Sequence, residues 1–202
     1  LCAYIYRYPE DHVSKSIYLG FPVHQASAAL AAAATSAAAA RSNTTSSSSS
    51  ARIDIRVAVW TTTPWTIPAN LAVAVHPEIE YCLCTVVQDE NSNDSNDKGV
   101  EGDEGGAPVL AYVVATARVE ALARHMCLST AAWVEAGAEG DTSSSNSGEG
   151  NKCGLHVVAT FKGKDLVGTT YRHPLCERVS EVIAGGDYIT TDSGTGLVSS
   201  VL

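Results

Sequence analysis

The 202-residue chain predicts an α+β fold in which strands are the majority. Three observations point to it. Apolar or alternating runs of strand length recur at 52–59, 71–75, 81–87, 108–115 and 154–161, bounded by Pro, Gly, Asn and Asp. Helical spacing with a capping residue occurs at 116–125, where Thr116 opens the run and Val119 and Leu122 fall on one face. Three low-complexity inserts, at about 26–50, 88–107 and 134–152, lie between these runs and have no apolar periodicity of their own. The length is that of one domain.

In order, Ser16-Ile17-Tyr18-Leu19-Gly20-Phe21-Pro22-Val23 reads as a strand ended by proline. Residues 26–50 are almost all Ala, Ser and Thr. The alanine half is capable of transient helix, the serine half has no apolar surface to offset ordering, and the whole reads as an expanded linker. Residues 52–59 form a strand, 60–70 a shaped loop, 71–75 a buried strand and 76–80 a turn, with His76 as a surface turn residue. The strand at 81–87 should pair with that at 108–115 as a hairpin across the first acidic insert. His125 lies where a helix terminus favours a cation. The strand at 154–161 runs into Gly163-x-x-Leu166-x-Gly168-x-x-Tyr171-x-x-Pro174-Leu175, in which the glycines serve turns and Tyr171 serves packing.

The net charge of −9 argues at first against a nucleic-acid partner. Residues 88–107 carry seven acidic groups and one lysine, and 134–152 carry four and one, which leaves eleven acidic and eleven basic residues elsewhere. The body is therefore neutral, and the acidity belongs to two inserts. Neither insert reads as a calcium loop. Six cysteines occur without a C-x-x-C pair or a histidine cluster. Cys82 and Cys84 share one strand face, and the set reads as reduced packing thiols with no metal site. No run of about 18 apolar residues suits a membrane span, and no secretory signal opens the chain, which starts at Leu1 as though cut from a longer protein.

The stretch richest in chemistry is Trp60-Thr61-Thr62-Thr63-Pro64-Trp65-Thr66-Ile67-Pro68-Ala69-Asn70. Three successive threonines set three donor–acceptor hydroxyls on a short backbone. Pro64 and Pro68 stop the strand and shape the loop. Trp60 and Trp65 offer apolar anchors. A second notable stretch is Gly185-Gly186-Asp187-Tyr188-Ile189-Thr190-Thr191-Asp192-Ser193-Gly194-Thr195-Gly196-Leu197-Val198, whose glycines permit close backbone approach to a ligand.

Both stretches, and the Ser-Ile-Tyr-x-x-Phe-Pro-Val segment, resemble the editing domain of the isoleucyl-tRNA synthetase family in its bacterial or organellar form. The resemblance implies a β-barrel-like domain with strands in the majority. It implies hydrolysis of valyl-tRNA(Ile), with Thr61, Thr62 and Thr63 as the catalytic group and Trp60, Asn70, Gly194, Thr195 and Gly196 as substrate-binding residues. It implies the tRNA(Ile) 3′ end, valine or isoleucine esters and the remaining synthetase domains as partners. No cofactor is implied for this region, and ATP for the parent enzyme, whose His-Ile-Gly-His and Lys-Met-Ser-Lys-Ser elements are absent here. The expected compartment is the cytoplasm, a plastid or a mitochondrion, the Ala/Ser/Gly inserts suggesting a nuclear-encoded organellar enzyme. After Gly-Leu-Val the family continues with His-Thr-Ala-Pro and a later catalytic Asp. Here Ser199 takes the His position and the Asp would fall beyond Leu202, so a truncated, non-catalytic fragment is the alternative.

Overall fold

The computed structural model describes residues 15–42, 52–88, 109–126 and 153–201. The expectations for the two acidic inserts lie almost wholly outside these residues. Among the described residues there are nine strands: β1 (Ile17–Gln25), β2 (Ile53–Thr61), β3 (Ala72–Val75), β4 (Glu80–Gln88), β5 (Val109–Ala115), β6 (Cys153–Lys162), β7 (Thr170–Arg172), β8 (Val179–Ala184) and β9 (Leu197–Ser200). Helix α1 spans Ala28–Ser42 and α2 spans Val119–His125.

The strands form one sheet in the order β6-β4-β5-β2-β1-β7-β8-β3-β9. β1 joins its two halves. Ile17 to Pro22 pair with β2, then the register shifts and Val23 and Gln25 pair with β7. Pro22, with no N–H to donate, sits at this change of partner. β2–β5 and β3–β8 are parallel and the remaining pairs antiparallel. The 81–87 and 108–115 runs do pair, as the antiparallel β4 and β5. The sheet has two ends and is not closed; it is barrel-like in that β9, at one end, packs back against β2 in the middle.

Strand periodicity sorts the core into two clusters. On β4, Tyr81 and Leu83 point to a central cluster with Phe21, Val57, Val59, Val73, Val113 and Tyr171. Cys82 and Cys84 point to the other face, where Val119 and Leu122 of α2 cover them. The expected shared face of the two cysteines is observed, with sulfurs 3.4 Å apart. Hydrogen bonding to Cys82, and then burial, holds the Cys84 thiol well above the ordinary range, so it is a protonated packing group.

Two local expectations are corrected. Residues 28–42 are not linker but helix α1, with Leu30 and Ala33 in the central core. Ser27 caps it, accepting from the Leu30 N–H at 3.4 Å. Alanine suits this site because it has the highest helix propensity and lets the backbone lie close to β4 and β6. Thr116 does not cap α2. It opens a 3-10 turn, Thr116–Arg118, and Arg118 precedes the helix without a side-chain cap bond. His125 stands at the C-terminal end of α2, the expected position, where it is exposed and lies against Tyr18, ring centroids 4.5 Å apart.

Candidate active site

β2 delivers Trp60 and Thr61 at its end, in register with Tyr18 and Ile17 of β1. Thr62 and Thr63 leave the strand, and Pro64–Ala69 winds into a 3-10 turn with proline at its first position. The threonines are internally organised. The Thr63 N–H donates to Thr61 Oγ1 at 3.0 Å, the two hydroxyls lie 3.1 Å apart, and Thr66 Oγ1 donates to the Thr63 carbonyl at 2.7 Å. Thr62 and Thr63 are exposed.

The turn is pinned from beneath. His173 is buried, its Nε2 2.7 Å from the Ile67 carbonyl. The Leu175 N–H donates to His173 Nδ1 at 3.1 Å, so Nδ1 is the acceptor and the proton lies on Nε2, which donates to Ile67. The Arg178 guanidinium donates to the Asn70 carbonyl and, at 3.4 Å, to that of Pro68. Ile67, not the second tryptophan, anchors the turn: Ile67 is 2% exposed and Trp65 74%.

Facing the threonines is the loop before β9. Gly194 and Gly196 have φ of 70° and 76°, the region that only glycine enters freely. Its three successive carbonyls are drawn toward the body of the domain. Arg118 Nε donates to Gly194 at 2.9 Å, the Ala115 N–H to Thr195 at 3.0 Å and the Tyr81 hydroxyl to Gly196 at 2.8 Å. Trp60 closes the contact between the two loops. A Cβ on Gly194 would stand 3.0 Å from its ring.

Between them lies an open cleft of about 330 Å³. Trp60, Thr61, Thr62, Thr63, Gly194, Thr195 and Gly196 all line it, so these expected site residues come together across 131 residues of sequence. Asn70 does not line it. It is buried behind the cleft and holds Ser199, which does. Tyr188, Thr190, Ser193 and Ser199 complete the polar wall, along with Leu197 and Val198. Sequence reasoning passed over Arg118 and Tyr81, because nothing in their own neighbourhoods marks them; each acts on a loop more than 70 residues away. The described lining holds hydroxyls, backbone and one indole, but no carboxylate and no imidazole. Such a wall can bind and polarise an ester. His76, the expected turn residue, lies outside it, with Nδ1 accepting from the Glu78 N–H at 3.2 Å.

The comparisons agree with this architecture. The chain is 39% identical over 191 residues to the isoleucine–tRNA ligase of Nostoc punctiforme, and 41% identical over 191 residues to that of a second Nostoc strain. Both matches cover 95% of this chain. The chain belongs to the isoleucine–tRNA ligase family. It spans only 14% and 15% of the length of those two relatives. No protein-family model matches it. Among solved structures it is similar to the editing domain of the P. knowlesi cytosolic leucyl-tRNA synthetase, with a TM-score of 0.51 and 16% identity over 96% of this chain and 62% of that one. The P. falciparum counterpart gives 0.51 and 13% over 93% and 61%. At such identities the likeness is one of fold. This part of the ligase family therefore carries the editing-domain fold, and the threonine cleft lies within it.

Proposed function

We propose that this chain is the editing site of an isoleucine–tRNA ligase and hydrolyses valyl-tRNA(Ile). The observation that carries the reading is the single cleft in which Thr61, Thr62 and Thr63 face the Gly194–Gly196 backbone. Family membership supplies the substrate class. A hydrophobic pocket separates amino acids differing by one methylene by only about 1–3 kcal/mol, for which isoleucine against valine is the standing example, so a second, size-excluding site is needed.

In the reaction, a water oxygen attacks the ester carbonyl carbon. The carbonyl oxygen takes up negative charge, the bond to the ribose oxygen breaks, and the water's proton ends on the released ribose hydroxyl. Thr62 and Thr63, the exposed hydroxyls, donate to the ester and to that developing charge. Thr61, held to Thr63, fixes their geometry. The Gly194–Gly196 backbone and Trp60 hold the terminal nucleoside. Partners of the parent enzyme are then the 3′ end of tRNA(Ile) and the other ligase domains, with ATP used by those domains in isoleucylation. The bacterial relatives accord with a bacterial or organellar enzyme, working in the cytoplasm, a plastid or a mitochondrion.

A second reading is favoured by the lining itself. The described wall carries no general base, and Ser199 stands where the family pattern has His, so the chain on its own binds the aminoacyl end without turning it over. Deacylation of valyl-tRNA(Ile) by the purified chain, with isoleucyl-tRNA(Ile) as control, separates the two. Selective loss of the valyl ester establishes editing. Selective binding of the valyl form without hydrolysis establishes the second reading. Neither binding nor hydrolysis sinks both.

A further inference from the structure

Both hydrogens of the Asn70 side-chain amide are taken. The group 2.8 Å from the Ala72 carbonyl must be its amide nitrogen, since a carbonyl can only accept. The second hydrogen of that nitrogen goes to Ser199 Oγ at 2.8 Å. Oδ1 accepts from the buried Tyr171 hydroxyl at 2.6 Å. A flipped amide would set its oxygen against the Ala72 carbonyl, acceptor against acceptor, so the Ala72 carbonyl fixes the orientation. Ser199 Oγ therefore accepts from Asn70, and its own proton is left over. Among the described residues that proton has no acceptor, and Ser199 lines the cleft.

We propose that Ser199 is a substrate-contacting hydrogen-bond donor of the cleft, and that Asn70 is the positioning residue that aims it. The donor's partner is the carbonyl oxygen of the aminoacyl group, because that atom accepts and does not donate. This inference rests on the editing reading, and assigns to Ser199 a role separate from that of the threonines. Tyr171 and β3 sit in the buried core, so Asn70 is aimed from a rigid base and the Ser199 hydroxyl is oriented before a ligand arrives. Removing one neutral hydrogen bond of this kind corresponds to about a three- to ten-fold loss of affinity.

The test is binding of a non-hydrolysable valyl-adenosine, its ester replaced by an amide, measured by calorimetry on the full chain. Ser199→Ala is expected to weaken binding three- to ten-fold, with Ser199→Thr, which keeps the hydroxyl, within two-fold of the starting protein. Asn70→Ala is expected to weaken it by a similar factor, and the double variant to add little, since both changes remove one donor. Should Asn70→Ala fail to fold, the Ser199→Ala and Ser199→Thr pair decides alone. Unchanged affinity in Ser199→Ala, with the parent chain binding normally, overturns the assignment and leaves the editing reading standing. No binding by the parent chain overturns both.

Discussion

Gly196 is the most constrained residue of the cleft. Its φ is 76°, and a Cβ there would stand 2.5 Å from the Cβ of Ala115, on a strand that cannot move aside. Gly196→Ala is expected to lower stability by about 1–3 kcal/mol through strain and steric displacement, and to weaken valyl-adenosine binding as the loop shifts. Denaturant melts with and without ligand read both effects. Tyr81 acts on the same loop from beneath. Its hydroxyl accepts from the His76 N–H at 3.1 Å and donates to the Gly196 carbonyl at 2.8 Å. Tyr81→Phe keeps the packing and removes both bonds, so a loss of about 1–3 kcal/mol is expected in urea denaturation. A loss below about 0.3 kcal/mol would show that the loop does not depend on this tie.

Helix α1 and the 3-10 turn are the elements whose weight the chain composition conceals. Eleven of the twenty-five residues at 26–50 are alanine, a composition that looks unstructured, yet Leu30 is fully buried among β-strand side chains. Leu30→Ala should cost about 2–4 kcal/mol, the range for emptying a leucine-sized core site. An expanded linker would lose nothing, so chemical denaturation distinguishes the two. The 3-10 turn depends on His173 and Arg178, which hold the Ile67, Pro68 and Asn70 carbonyls. His173→Ala strands a buried carbonyl and opens a void beside Phe21, whose ring centroid is 6.2 Å away. The expected outcome is about 2–3 kcal/mol of destabilisation, with lower affinity for the valyl analogue because the threonines ride on this turn.

For the whole molecule, alkaline pH is the informative variable. Burial pushes the Tyr171 phenol up to about 12, and burial raises the Tyr81 phenol as well, against ordinary values of 10.0. Ionisation is thus easier in the unfolded chain. The stability these groups contribute is fully present below about pH 10 and is lost as pH rises from there toward 12. Urea midpoints between pH 8 and 11.5 should hold steady and then fall, the fall shrinking in Tyr81→Phe. Flat midpoints throughout would contradict the burial of both phenols.

Sequence alone determined the strand-rich class, most strand positions and the family. Period-two apolar runs and the Trp-Thr-Thr-Thr-Pro-Trp stretch are local, and local patterns survive in one dimension. It determined seven of the residues that line the cleft as well, since Trp60 to Thr63 and Gly194 to Gly196 are short motifs. Tertiary structure decided the rest. α1 is ordered because the core accepts Leu30, a fact that alanine-rich composition cannot express. Trp65 faces solvent while Ile67 anchors, because the turn's rotation is set by His173, more than 100 residues away. Asn70 works from behind the cleft through Ser199, because β3 and β9 pair there with Val73 opposite Ser199. Each of these rests on a long-range contact, and long-range contacts exist only once the chain has closed upon itself.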